Sequence, residues 1–120
     1  MDMQITVEQG ITRVLYRCEV EFNRTTEMLR EVGRIALENQ SAMLLFDVRE
    51  AGEGPYHVSA IRHTEQLPAL GIERSFRIAF LGRKGDPRLS YVDDVMVNRG
   101  FQSHVFTDEA ESVAWLQSGL

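Results

Sequence analysis

The chain is poor in the residues that staple, anchor or activate small proteins. It has one cysteine, Cys18, in 120 residues, which excludes an internal disulfide and any metal site built from several thiolates. Cys18 falls inside an alternating stretch, where a buried, inert thiol is expected. No apolar run approaches the roughly 18–20 residues that span a bilayer, and no secretory hydrophobic region follows Met1. A cytoplasmic protein without a membrane span is therefore expected. Repeats, low-complexity tracts and linkers are also missing. Cations are outnumbered, 13 Lys and Arg against 18 Asp and Glu for a net charge of −5. That balance argues against nucleic-acid binding, which needs phosphates to be neutralised.

The signatures of catalysis are equally scarce. Gly82-Arg-Lys-Gly-Asp-Pro87 pairs two glycines with two cations, but it lacks the spacing and the terminal Lys-Ser/Thr pair of a P-loop. The dinucleotide-binding glycine fingerprint is absent, and so is the Gly-flanked nucleophile elbow of a hydrolase. His57 and His63 are six apart, on different faces of any helix that holds both, so they offer no metal-ligand spacing. Neither a cofactor nor a metal is called for by these residues.

What remains is ordinary globular composition. Hydrophobic residues at 43% and charged residues at 26% argue against disorder, and the length suits one domain over residues 1–120. Residues 3–7 and 11–20 alternate around Gln9-Gly10, the pattern of a hairpin. Ile5 and Val7 share one face, as do Val14, Tyr16 and Cys18. Residues 21–40 switch to helical spacing, with Met28, Val32, Ile35 and Ala36 as the stripe, Leu29 beside it, and Asn23 or Thr25 as the cap. Residues 42–48 form a nearly continuous apolar run, the mark of a strand covered on both faces.

Residues 57–70 read as a helix with Val58, Ile61, Leu67 and Leu70 inward, interrupted by Pro68 and ended by Gly71. Residues 76–81 give a second central strand. A helix from about Leu89 follows, with Leu89, Val92, Val95 and Met96 inward, Gly100 in the left-handed cap position and Phe101 as its contact. Residues 102–106 form a last strand. Asp108 caps a final helix that carries Trp115 and buries Ala110, Val113, Ala114 and Leu116. The order is β-β-α-β-α-β-α-β-α. Right-handed crossovers then give an α/β fold, a mixed sheet with the later strands parallel and helices packed against it.

With these elements in place the chain resembles the SpoIIAA-like branch of the STAS superfamily, the STAS/Sec14-type domains. The resemblance runs over about residues 5–116. It rests on the hairpin and long helix, on Leu44-Leu-Phe-Asp47 and Arg77-Ile-Ala-Phe80, and most of all on the tail. That tail reads Asn98-Arg-Gly-Phe101, Val105-Phe-Thr-Asp108 and Glu111-Ser-Val-Ala-Trp-Leu116.

The resemblance implies a small, non-enzymatic regulatory or binding module of bacterial signalling type, working through a regulatory protein partner or a small apolar or anionic ligand. The Sec14 kinship points to a hydrophobic ligand. Members of the STAS group that antagonise anti-sigma factors are switched by phosphorylation of a serine at a helix start, within an Asp-Ser pair. Here the matching region is Glu53-Gly-Pro-Tyr-His-Val-Ser-Ala60, where Ser59 is the candidate phosphosite and the Asp-Ser pair is missing. Phosphate at a helix N-terminus is favoured by free N–H groups and the helix dipole.

The residues themselves nominate a location. Asp47 ends a buried strand, where it can meet a ligand or metal, or else accept backbone N–H bonds from the following loop or pair with Arg49. Residues 47–55 and 82–88 are two carboxyl-end loops of an open α/β sheet, the edge where ligands bind. Tyr56, His57, Arg83 and Lys84 are candidates to line that edge with Asp47. Arg74, Arg77, Arg83, Lys84 and Arg88 make residues 72–88 locally basic. His104 shares a strand face with Phe106 and is expected to be partly buried. A small hydrolase built on Ser59 or His57 with Asp47, and a homodimer through hairpin edges and exposed helix positions, complete the alternatives.

Overall fold

The computed structural model describes residues 3–17, 22–52 and 56–119, with Phe22, Asn23, Tyr56, Ser59 and Ala60 described by backbone alone. One five-stranded sheet forms, from β1 (Met3–Glu8), β2 (Ile11–Tyr16), β3 (Met43–Asp47), β4 (Arg77–Leu81) and β5 (Gln102–Phe106). The strands lie side by side in chain order. β1 and β2 are an antiparallel hairpin, with Glu8 opposite Ile11. Gln9 and Gly10 both take positive φ, 54° and 77°, as the favoured two-residue hairpin turn requires. The remaining pairs are parallel.

Four α-helices accompany the sheet: α1 (Phe22–Glu38), α2 (Tyr56–His63), α3 (Pro87–Asn98) and α4 (Glu109–Gln117). Each parallel crossover steps one strand in the same direction. Right-handed connections therefore put α1, α2 and α3 on one face. There Val14, Leu44, Ile78 and Phe80 of the strands meet Leu29, Val32 and Ala36 of α1 and Leu89, Val92 and Met96 of α3. α4 returns across the other face, where Leu116 packs on Leu45, Ala79 and Leu81. This is the α/β, mixed-sheet architecture expected, in the expected order. β3 and β4 carry opposite side-chain sets into two separate cores, which is why both read as unbroken apolar runs.

Several local expectations need correction. β2 ends at Tyr16, short of residue 20, and Cys18 lies outside the described residues. α1 begins before both proposed caps, so Thr25 sits within it and is buried. Residues 57–70 do not make one helix. α2 stops at His63, and two 3₁₀ turns, Thr64–Gln66 and Pro68–Leu70, replace the rest. Pro68 supplies no N–H and breaks the i to i−4 ladder. Val58, assigned inward, is 42% exposed. On α4 the buried positions are Ser112 and Leu116, with Val113 and Trp115 partly covered, while Ala110 and Ala114 face outward.

The ends of α3 and α4 follow the sequence closely. Asp86 caps α3 by accepting from the Arg88 N–H at 3.0 Å, and Asp108 caps α4 by accepting from the Glu111 N–H at 3.0 Å. At the end of α3, Phe101 N–H donates to the Met96 carbonyl (3.1 Å) and Gly100 N–H to that of Val97 (3.0 Å). Gly100 has φ 88° and Phe101 is buried. These are the two bonds, the left-handed residue and the apolar contact of a Schellman cap.

Candidate functional site

Parallel pairing brings the two nominated loops together. Asp47 at the end of β3 is registered with Leu81 at the end of β4. Val48 N–H donates to the Leu81 carbonyl (2.8 Å) and Gly82 N–H to the Phe106 carbonyl (2.9 Å). Past the strands, Arg83 Nε–H donates to the Arg49 carbonyl at 2.7 Å. The loops following β3 and β4 thus meet at one edge of the sheet. Gly82 makes the entry to α3 tight, since a Cβ there would stand 2.5 Å from Leu89 Cδ1.

The candidates divide at that edge. Asp47 sits on the α4 side, in register with Met43 and Leu45. Its carboxylate accepts from the Arg49 backbone N–H (3.1 Å), from Arg49 Nε (3.0 Å) and from Arg49 Nη2 (2.7 Å). Burial pushes this carboxyl upward, but the Arg49 guanidinium and N–H outweigh it and hold it below the usual range. Arg49 also donates to Glu109 at 2.9 Å, and Arg13 pairs with Glu109 at 3.2 Å. Hydrogen bonding to Arg13, joined by Arg49, lowers Glu109 as well. The outcome is a closed set of two cations and two carboxylates that ties β2, β3 and the start of α4 together. Of the readings open for Asp47, the loop-and-Arg49 bonding is realised.

His57 lies on the opposite side, on α2. Its ring meets Tyr91 of α3 edge-on, with centroids 5.8 Å apart and planes at 86°. The two helices enclose a surface groove of about 460 Å³, lined by His57, Val58, Ile61, Pro87, Arg88 and Tyr91. Val58 and Tyr91 are 42% and 57% exposed. Arg83 and Lys84 stand exposed on the loop that leads into α3. Tyr56 and Ser59 occupy the first turn of α2, and their side chains lie outside the described residues.

Two premises of the sequence reading change. Strands in chain order contain no reversal, so the crevice is made by neighbouring crossover helices and not by a topological switch point. The basic stretch is also split by β4, roughly 16 Å long at the usual rise per residue. Arg74 and Arg77 stay at the amino end: Arg74 Nε–H donates to the Arg99 carbonyl (2.9 Å) and its guanidinium lies over Phe101. Arg77 stacks 4.1 Å from the Trp115 ring and donates to the Trp115 carbonyl (2.6 Å). Both neutralise helix C-termini. Only Arg83, Lys84 and Arg88 reach the carboxyl edge, and Arg88 is paired with Asp86 at 2.7 Å.

Sequence spacing assigns His63 no role. It is 1% exposed, hydrogen-bonded through Nε2 to Thr26 Oγ1 at 2.9 Å, and it borders a core cavity of about 70 Å³ with Thr25, Leu29, Val48, Phe80 and Val92. Its one sequence signal was position: a histidine four residues before Leu67 shares a helical face with apolar neighbours. His104, by contrast, is exposed, packed edgewise on Phe106 with centroids 5.0 Å apart. Among the described residues no three His, Cys, Asp or Glu side chains converge as metal ligands, and no helix is long and apolar enough to cross a membrane. The chain matches no protein-family model, and a search of curated proteins finds no significant relative.

Proposed function

We propose that this domain is a non-catalytic binding module of STAS type whose working surface is the groove between α2 and α3. The occupant is a segment of a regulatory protein partner, with an apolar side chain seated against Tyr91 and Val58 and acidic residues toward Arg83 and Lys84. The observation that carries this reading is the groove itself: about 460 Å³, at the carboxyl edge, holding two exposed apolar side chains beside an exposed cationic loop. Exposed aromatics in a concave site are the usual anchors of a partner, and cations at the rim select acidic neighbours.

Two observations favour a protein segment over the alternatives. A lipid chain needs far more than the roughly 70 Å³ of the core cavity, since ligand pockets run from about 300 Å³ upward. The hydrolase alternative needs Asp47 beside His57, yet Asp47 bonds Arg49 on the α4 side while His57 faces Tyr91 on α3.

A second reading rests on Ser59. Its backbone lies in the first turn of α2, where added phosphate would be stabilised by the helix dipole and would alter partner binding. Incubation with the cognate kinase followed by intact-mass analysis tests it; Ser59 without phosphate removes the switch and leaves the groove.

The groove is tested by placing a photo-crosslinking residue at position 91 and, as a control, at the 79% exposed Leu37 on α1. One partner identified at 91 and absent at 37, with its cross-link in an acidic segment, supports the reading. Equal capture from both positions counts against it.

A further inference from the structure

The sheet ends in two edge strands, β1 and β5, and β1 is the less protected. Proteins guard such edges with Lys, Pro, a bulge or a covering element. β1 contains no Pro, Lys or Arg, and its register with β2 runs unbroken from Met3 opposite Tyr16 to Glu8 opposite Ile11. Among the described residues β1 pairs only with β2. The hairpin fixes which backbone groups are left over. Glu8 and Ile11 close the two-residue turn and exchange hydrogen bonds, as do Thr6 with Arg13 and Gln4 with Leu15. Ile5 and Val7 therefore turn their N–H and C=O groups outward, and their side chains are half-buried on the α1 side. At the other edge Phe106 accepts from Gly82 inside the sheet, so β5 turns only Ser103 and Val105 outward.

We propose that β1 pairs antiparallel with β1 of a second copy of this chain, about a two-fold axis normal to the sheet at Thr6, joining the two five-stranded sheets into one. In this register the strand is its own complement. Ile5 of each copy meets Val7 of the other, each pair exchanging both of its backbone hydrogen bonds and covering two apolar side chains. Thr6 meets Thr6 on the axis. Gln4 meets Glu8, the one charged residue of β1, so no like charges are opposed. The contact uses β1 of both copies and therefore closes at a dimer. β2 and β3 separate β1 from β4, so this interface stands or falls independently of the α2–α3 groove.

Sedimentation velocity on the full chain should show a reversible dimer with a Kd of roughly 1–100 μM, as suits an interface of the small size class. Val7→Pro deletes an outward N–H while sparing the β1–β2 ladder, and should weaken the dimer about tenfold or more, since one bond is lost from each pair. Thr6→Lys, at an exposed position, brings two cations together on the axis and should weaken it about fivefold; it carries the test should Val7→Pro unfold. Gln4→Lys sets a cation against Glu8 of the second copy and should tighten the dimer about fivefold. A chain still monomeric at roughly 1 mM overturns the proposal, and so does a dimer unchanged by both Val7→Pro and Thr6→Lys. A dimer weakened by those two and not tightened by Gln4→Lys overturns the register.

Discussion

Gly33→Ala is expected to destabilise the fold, although Gly33 lies in the middle of α1, where alanine normally helps. At an unencumbered helix position the replacement gains about 1 kcal/mol from propensity. Here an added Cβ would fall on the Leu70 carbonyl oxygen, with the Leu70 carbonyl carbon at 3.0 Å and the Gly71 Cα at 3.2 Å. All three obstacles are backbone, so no side-chain rotation relieves them. The chain through Pro68–Leu70 must retreat from α1, and it carries Leu67, Leu70 and Ile72, each 7% exposed or less. Re-exposing the equivalent of one such side chain costs about 1.5–3 kcal/mol, and overpacking strain alone costs about 1–3 kcal/mol. After the propensity gain, a net loss of about 2 kcal/mol is expected, roughly an 8 °C fall in Tm for a chain of this size. Urea denaturation followed by far-UV circular dichroism measures it. A variant as stable as the parent, or more stable, would refute the close approach of α1 to Gly71, because propensity would then act alone.

Three further outcomes follow. Thr12 is fully buried and its Oγ1 has no hydrogen-bond partner, so the near-isosteric Thr12→Val should raise stability by about 1 kcal/mol; a loss by the same denaturation assay would mean that the hydroxyl is bonded. Asp47 and Glu109 are both held below their ordinary values by arginines. Their contribution is therefore complete above the unfolded carboxylate range and disappears as pH falls through the lowered folded values. Asp47→Asn should remove the Asp47 part, on the order of 1 kcal/mol at pH 7 after allowance for the partial exposure of Arg49, and should flatten the acid limb of a stability-versus-pH curve. Asp93 has the opposite sign: burial raises its carboxyl despite Ser103 and His104 nearby, so ionisation costs stability at neutral pH and protonation relieves it as pH falls through the raised value. Asp93→Asn should stabilise at pH 7 and be neutral near pH 3, checked by thermal melts at both.

Much of the architecture was legible because its signals are local and chemical. Gly100 after Met96 and Val97, Asp108 before Glu111, and Gln9-Gly10 between alternating runs each specify one backbone geometry. The unbroken apolar runs of β3 and β4 announced burial on both faces. Residues 57–70 read as one helix because an apolar repeat at helical spacing survives the interruption at Pro68, while the backbone ladder does not.

Site legibility had a different limit. The loops after β3 and β4 could be brought to one edge by parallel pairing alone. Which side of the sheet Asp47 faces depends on strand parity and on α4, which crosses from the far end of the chain. Arg49, two residues from Asp47, was a visible partner; Arg13 and Glu109 lie 34 and 62 residues away in sequence and left no local trace. His63 escaped notice for a related reason, since its burial depends on Thr26 of α1, a contact that sequence spacing does not encode.

The measurement that bears most directly on the groove is the affinity of the identified partner segment for three variants. They are Tyr91→Ala, Val58→Asp and, outside the groove, Leu37→Asp, all at exposed positions whose replacement spares the core. A central aromatic anchor is worth about 2 kcal/mol or more, roughly thirtyfold in Kd. The expected result is a loss of that order for Tyr91→Ala and Val58→Asp, with Leu37→Asp unchanged and all three folded like the parent. Equal affinity across the parent and both groove variants would contradict the account.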